Sequence, residues 1–312
     1  MDLMGSAMVM VIVMIVVYLL VRRRLAKYFA KVSEWQKTIA DTRRNAEGIK
    51  MAKSIVSSLN SASIEVINNE MQTLIGMGDV AVGPLIVALK STNPVVRRAA
   101  VKALGAIGDS RAVAPLIRLA GDPDIIVRMT LAGVLANFDD IRIVDPLLSL
   151  LRDKDFYVCR AALQPFSLGK VKHALAVDAI VGFLGDKETN TRLEAVKALG
   201  CIGNARATGP LIETLEDPDW IIQEHAIWAL KEIGDLCAVP PLLRMLEHEV
   251  SYIRIEAAKA LASIGDRNAI DPVQNAVDRE ANSEVKSALL AALHDLRNPP
   301  PKFVKPLEDA ES

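Results

Sequence analysis

The sequence VGPLIVALKSTNPVVRRAAVKALGAIGDSRA at residues 82–112 is followed directly by VAPLIRLAGDPDIIVRMTLAGVLANFDDIRI at residues 113–143. Similar units recur as far as VPPLLRMLEHEVSYIRIEAAKALASIGDRNA at residues 239–269. The residue at the third place of each unit marks the period, because Pro84, Pro115, Pro146, Ala179, Pro210, Pro241 and Pro272 are separated by 31, 31, 33, 31, 31 and 31 residues. Self-similarity at such a period predicts a stack of repeated supersecondary units.

Each unit has the features of a pair of antiparallel helices. Proline suits the first turn of a helix, and the LIxxL run that follows it forms an apolar stripe. The Asp-Pro-Asp at residues 122–124 ends this first helix and supplies N-capping oxygens for the second, and Gly108-Asp109 ends the second helix. A single pair cannot bury its apolar face, so the pattern predicts an all-α fold, an α-solenoid in which the pairs stack into a superhelix.

These units resemble the HEAT-repeat family, in the short variety found in phycobilin lyase subunits and deoxyhypusine hydroxylase. The resemblance covers about residues 64–296 and implies a ladder of Asp and Arg, six residues apart, that links neighbouring units. Two units match it, with Asp122 and Arg128 and with Asp186 and Arg192. Two others have Cys159 and Gln223 in place of the arginine. We therefore expect an interrupted ladder, and a kink at Pro165 in the third unit.

The N-terminus has the pattern of a membrane anchor. Residues 3–21 are an uncharged stretch of 19 residues, close to the ~20 that cross a bilayer as a helix. Basic residues that set topology and meet lipid headgroups follow it, namely Arg22, Arg23, Arg24, Lys27 and Lys31. This order predicts a single-pass protein of the cell membrane (plasma or inner), with its N-terminus outside and its repeat domain in the cytoplasm.

Three further regions follow the predicted transmembrane helix. Residues 22–63 read as a basic juxtamembrane segment and a helical stalk, with a coiled-coil seam that allows a homodimer. Steps of three and four residues join the seam positions Leu25, Tyr28, Val32, Trp35, Ile39, Thr42, Ala46, Ile49, Lys53 and Val56. Residues 64–296 read as a half-repeat cap and seven repeats, and residues 297–312 as a Pro-rich disordered tail.

Composition and motifs argue against several functions. Lys+Arg 37 against Asp+Glu 38 gives no basic field for nucleic acid. The resemblance to deoxyhypusine hydroxylase implies His-Glu pairs on the second helices, but the only such pair, His248-Glu249, falls in a turn. We therefore expect no metal, no cofactor and no catalytic residues. A phycobilin lyase or isomerase-like subunit, acting on a chromophore-protein, is the alternative that the resemblance leaves open.

The remaining hypothesis is a scaffold or adaptor that binds a cytoplasmic or membrane-complex protein through the concave face of the solenoid. Helical spacing places the following residues on that face: Arg98, Lys102, Met129, Arg160, Leu193, Lys197, Glu224, Trp228, Lys231, Ile255 and Lys259. Trp228 stands where sister repeats have lysine, which makes it a candidate anchor for a partner. Packing of Trp228 over a neighbouring repeat remains equally open at this stage, and Trp220 is expected in the core.

Overall fold

A computed structural model describes residues 3–59 and 63–298, with side chains from Lys27 onward except for Tyr28, Phe29, Val32 and Ala40. In these ranges the regular secondary structure is entirely helical, which confirms the predicted all-α class. The chain forms two compact units, Met1–Ile107 and Gly108–Ser312. Most of the predicted tail, from residue 299, lies outside the described residues.

The first unit contains one long helix and three short ones. These are α1 (Leu3–Ser58), α2 (Ile64–Gly76), α3 (Asp79–Ala88) and α4 (Pro94–Ile107). The end of α1 lies beside α3, and α2 lies beside α4. Gly48 permits this approach, because a Cβ there would stand 2.8 Å from Cγ1 of Val80. The end of α1 thus takes the place of a first helix, and α2 that of a second helix.

The rest of α1 has a different environment. Every described side chain from Lys27 to Glu47 is exposed, including Trp35 at 67% and Ile39 at 65%. The predicted transmembrane residues 3–21 begin this helix, and their side chains lie outside the described residues. Across the part of the chain that the structure describes, no helix is long and apolar enough to cross a membrane.

Between residues 108 and 298 the second unit consists of six helix pairs. The first helices are α5 (Val113–Ile117), α7 (Val144–Leu150), α9 (Val177–Val181), α11 (Thr208–Glu213), α13 (Val239–Met245) and α15 (Ile270–Arg279). The second helices are α6 (Ile125–Leu135), α8 (Phe156–Ser167), α10 (Thr189–Ile202), α12 (Trp220–Ile233), α14 (Ser251–Ile264) and α16 (Ser283–Arg297). Consecutive second helices lie side by side and bury their alanine and leucine side chains.

The predicted Gly-Asp stops end the second helices. Gly234 adopts a left-handed conformation with φ of 73° and ends α12, and Asp235 then accepts a hydrogen bond from the backbone N–H of Cys237 at 2.9 Å. A glycine is favoured there because side chains rarely adopt positive φ. Pro165 is the exception to our expectation, because it stands in the last turn of α8, just before Ser167, and therefore ends the helix rather than kinking it.

An arginine ladder joins some of the repeats to the next one. Arg128 donates to both carboxylate oxygens of Asp153, at 2.8 and 3.0 Å, and to the carbonyl of Asp122 at 2.7 Å. Gln223 lacks the link to the next repeat and donates only to the carbonyl of Asp217 in its own loop, at 2.8 Å. Cys159 likewise contacts only its own loop, at the carbonyl of Asp153. The predicted interruptions are therefore present. Equivalent ion pairs join Arg192 to Asp217 and Arg254 to Glu280.

Candidate functional site

The predicted partner-binding residues lie at the fifth, ninth and twelfth positions of the second helices. In the first unit, Arg98 is half-buried and Lys102 is exposed. In the second unit, Arg160 and Lys259 are exposed, and Met129, Leu193, Lys197, Glu224, Trp228 and Lys231 are half-buried. Ile255 contradicts the prediction, because it is only 8% exposed. Its aliphatic side chain is therefore buried and adds no apolar surface to the face.

Trp228 packs against the neighbouring repeat. A Cβ built on Gly200 of α10 would stand 2.5 Å from Cζ3 of the Trp228 indole and 2.9 Å from Cβ of Ala229. The ring edge therefore covers the space that a side chain at position 200 would occupy. Of the two alternatives open from the sequence, the structure favours inter-repeat packing over a fully exposed anchor.

The lysines of this face are interleaved with carboxylates. Nζ of Lys259 lies 2.7 Å from Oε1 of Glu256, and the pKa of Lys259 is raised by this hydrogen bond. Burial raises the pKa of Glu194, while the positive charges of Arg160 and Lys197 act in the opposite direction. Oε2 of Glu194 is buried and has no hydrogen-bond partner among the described residues. The face is therefore mixed in charge and not uniformly basic.

The sequence did not predict a row of exposed apolar side chains at the starts of the second helices. We call these residues the N-terminal ridge: Phe156, Tyr157, Trp220, Ile221 and Tyr252. The prediction that Trp220 is core was wrong, because the side chain is 45% exposed, as is that of Tyr252. Burial begins only at the third helical position, which Val158, Ile222 and Ile253 occupy.

The signal that could have located the ridge is the N-cap. Asp155 caps α8 and Asp219 caps α12, each accepting a hydrogen bond from the backbone N–H two residues later. The first two residues after such a cap sit at the outer end of the helix, before the turn that packs on its neighbours. Aromatic residues directly after a capping Asp are therefore predicted to be exposed. The period of the repeat places them in a row along the N-terminal ends of the second helices.

Trp220, Tyr252 and Glu224 form a connected cluster within the ridge. The rings of Trp220 and Tyr252 meet edge to face, with centroids 6.4 Å apart and planes at 84°. The hydroxyl of Tyr252 donates to Oε1 of Glu224 at 3.2 Å. The negative charge of Glu224, and then that of Glu256, raises the pKa of Tyr252. Neither Glu224 nor Asp219 forms an ion pair in the part of the chain that the structure describes.

Comparison with known families identifies the repeats. Models of HEAT repeats match residues 82–164, 144–231 and 208–294, which together span more than half of the chain. The chain belongs to the HEAT-repeat family. The N-terminal ridge, Trp228 and the arginine ladder all lie within the matched HEAT repeats.

Solved structures add a likeness in fold. An engineered protein is 22% identical to this HEAT-repeat chain with a TM-score of 0.56, covering 79% of this chain and 78% of its own. The complex of CpcE and CpcF of phycocyanin lyase from Nostoc is 22% identical with a TM-score of 0.44, covering 69% and 94%. Human deoxyhypusine hydroxylase in complex with glycerol is 19% identical with a TM-score of 0.37, covering 81% and 98%. The first shows the fold alone, and the other two carry no argument about activity. A comparison with curated proteins finds no match.

His225 and His248 make contacts within their own repeat. Among the described residues, no group of three or more His, Cys, Asp or Glu side chains is placed to hold a metal ion. Nδ1 of His248 accepts a hydrogen bond from the backbone N–H of Val250 at 3.0 Å, as an N-capping side chain does. The ring of His225 contacts the carbonyl of Ile221 at 2.8 Å.

Proposed function

We propose that this HEAT-repeat protein is a non-enzymatic scaffold that binds a protein partner through the second-helix face of its second unit. The observation that carries the proposal is the N-terminal ridge. Exposed aromatic side chains are frequent binding hot spots, since they bury a large apolar area with few rotatable bonds. The half-buried Leu193 and Met129 extend the apolar area, and the mixed charges of Lys197 and Glu194 supply specificity.

We infer that the anchor for a partner is the pair Trp220 and Tyr252 instead of Trp228. Trp228 has part of its apolar area already buried against Gly200, so it has less left to bury in an interface. Trp220 and Tyr252 hold each other in place through their ring contact. Such a preformed pair loses little conformational freedom when a partner binds.

The test is capture of partners by the full chain in mild detergent, followed by mass spectrometry. Trp220→Ala and Tyr252→Ala should each reduce recovery of the main partner about tenfold, with helicity unchanged because both residues are surface positions. Leu236→Ala is the matched control, because Leu236 is exposed but lies in the short 3-10 turn before α13, away from the starts of the second helices. Equal recovery with all four proteins would refute the proposed face.

We also propose that residues 3–21 anchor the protein in the cell membrane, with the HEAT repeats in the cytoplasm. The support is the uncharged stretch of the sequence and the arginines that follow it. In this arrangement Lys27 and Lys31, both exposed, stand near the headgroups, beyond Arg22, Arg23 and Arg24, whose side chains lie outside the described residues.

The stalk is proposed to pair with α1 of a second copy. Trp35 and Ile39 occupy neighbouring seam positions on the same face of α1, and both are exposed. An isolated helix gains little stability in water without a partner for its apolar face. Ile39→Asn should lower the dimer fraction in analytical ultracentrifugation, whereas Lys37→Asn, off the seam, should not. A monomeric mass for the unsubstituted chain would refute the pairing of α1 helices.

A further inference from the structure

We propose that the acidic C-terminal segment Leu-Glu-Asp-Ala-Glu, at residues 307–311, docks in a groove between α13 and α15 of the same chain. The groove contains no residue of the N-terminal ridge, so this contact is independent of the proposed scaffold function. The last repeat of a stack has a neighbour on one side only, which leaves it the least supported. A segment that bridges α13 and α15 would hold the last repeat to the one before it.

Two adjoining cavities form the groove, with volumes of about 360 and 320 Å³. They share the lining residues Leu246, Glu247, Ala276 and Arg279, and are therefore continuous. Leu246 is buried, and Leu243 and Ala276 are half-buried, so the floor of the groove is apolar. Volumes of this size lie at the lower end of the range for ligand sites, about 300–1,000 Å³. They suit one or two side chains of a short extended segment.

The charges that line the groove leave one arginine over. Arg279 lies 3.2 Å from Glu247, and Arg254 lies 2.8 Å from Glu280, so these four side chains pair with each other. Arg244 is exposed at the rim of the smaller cavity and forms no ion pair in the part of the chain that the structure describes. An anionic occupant therefore fits this rim better than a cationic one.

The segment has the matching chemistry. It begins with Leu307, which suits the apolar floor, and continues with the carboxylates of Glu308, Asp309 and Glu311 and without a cation. A carboxylate that follows Leu307 can meet Arg244 at the rim. Both side chains of the Arg279–Glu247 pair are 68% exposed, and such a surface pair is weak enough for Arg279 to accept a second carboxylate.

The chain leaves α16 close to the groove and is long enough to enter it. Arg297, the last residue of α16, donates to Oε1 of Gln274 on α15 at 3.1 Å. Gln274 is two residues from Ala276 and so lies about 200° away from it around α15. Half the circumference of a helix about 10 Å wide is about 16 Å, and the side chains of Arg297 and Gln274 add roughly 10 Å. At about 3.1 Å per residue in the extended form that proline favours, the chain reaches about 31 Å at Leu307, which exceeds this path of about 26 Å.

Hydrogen exchange of the full chain in detergent, followed by mass spectrometry, tests the contact. Removing residues 303–312 should speed exchange about threefold or more in peptides from α13 and α15, because the segment no longer holds these helices. Peptides from α6 are the internal control and should not change. Arg244→Glu should have the same effect as the deletion, whereas Arg118→Glu, at the same place in an earlier repeat, should not. Unchanged exchange in α13 and α15 after the deletion overturns the proposal.

A photoreactive phenylalanine analogue at position 307 identifies what the segment touches. Cross-links should map to peptides that contain residues 243–247 or 272–279 of the same molecule. Cross-links that join two copies, or that reach other proteins only, overturn the intramolecular contact. Trp220→Ala should leave the cross-links unchanged, so the docking of the segment and the capture of a partner by the ridge are tested separately.

Discussion

Gly200→Ala tests the packing of Trp228 directly. The added Cβ would stand 2.5 Å from Cζ3 of Trp228, 2.9 Å from Cβ of Ala229 and 3.0 Å from Cα of Ala229. Carbon atoms in contact prefer separations of about 3.5–4.0 Å, so the indole and the helix beneath it would have to move by up to about 1 Å. Overpacking of this kind costs about 1–3 kcal/mol, and the gain from replacing a helical glycine offsets about 0.5–1 kcal/mol of it.

The expected net loss is therefore about 0–2.5 kcal/mol in the free energy of unfolding, or a fall of up to about 10 °C in melting temperature for a unit of this size. Circular dichroism melts and urea titrations measure it. Gly133→Ala is the matched control, because Gly133 is also inside a second helix but has nothing within 4 Å of its Cβ position. That variant should gain about 0.5–1 kcal/mol.

A stabilising effect of Gly200→Ala, equal to that of Gly133→Ala, would refute the placement of the Trp228 ring. A double-mutant cycle sharpens the result. In a Trp228→Leu background the ring atom that meets the new Cβ is gone, so Gly200→Ala should cost at least about 0.5 kcal/mol less than in the original chain. The contact with Ala229 remains, so the cost should not vanish.

Three further outcomes are expected. Arg128→Met leaves the largely buried Asp153 carboxylate without its cation and should cost about 3 kcal/mol. Burial raises the pKa of Asp153, but the hydrogen bonds from Arg128 and from the backbone N–H of Asp155, with the charge of Arg128, lower it overall. This stability is present above the ordinary Asp pKa of about 4 and is lost as pH falls further, so melts of the variant should show a shallower loss of stability in acid. Glu194→Gln should raise the melting temperature at pH 7, because burial raises the pKa of Glu194 and penalises its charged form. The gain in melting temperature should shrink as pH falls through that raised pKa. A gain that is constant at all pH values would contradict this cause. Deleting residues 1–24 should release the protein from membranes, and a reporter active only in the cytoplasm should work when fused after Ser312; continued membrane association would place the anchor elsewhere.

The period of the sequence predicts the repeat architecture because it reports packing that every unit shares. The proline at the third place, the capping Asp and the Gly-Asp stop each act locally, so their positions translate directly into helix ends. The ladder required more than local information. Arg128 pairs with Asp153, 25 residues later in the next unit, and not only with its own loop. The same holds for Arg254 and Glu280, a pair that the six-residue spacing did not predict.

The candidate site was harder to predict, because helical spacing tells which face of a helix a side chain occupies but not how deeply neighbouring helices bury it. Ile255 and Trp228 both face the predicted side, yet neighbouring helices bury the first and partly cover the second. Trp220 was assigned to the core because other repeats have apolar residues at its place. The first turn of a helix extends beyond its neighbours, and for that reason an apolar residue there can be exposed.

The length of the continuous helix α1 sets the distance between the residues after the proposed anchor and the first repeats. From Arg24 to Gly48, where the helix first meets α3, an α-helix rises about 36 Å, roughly the diameter of a small domain. With residues 3–21 in a bilayer, as proposed, the first repeats would lie about that distance from the membrane surface. Only a partner that extends as far from the membrane could bind them. Inserting seven residues near Gln36 would raise the repeats by about 10 Å with nearly the same facing, whereas inserting two would turn them by about 200°. The length of α1 would thus set both the distance of the first repeats from the bilayer and the direction in which they face.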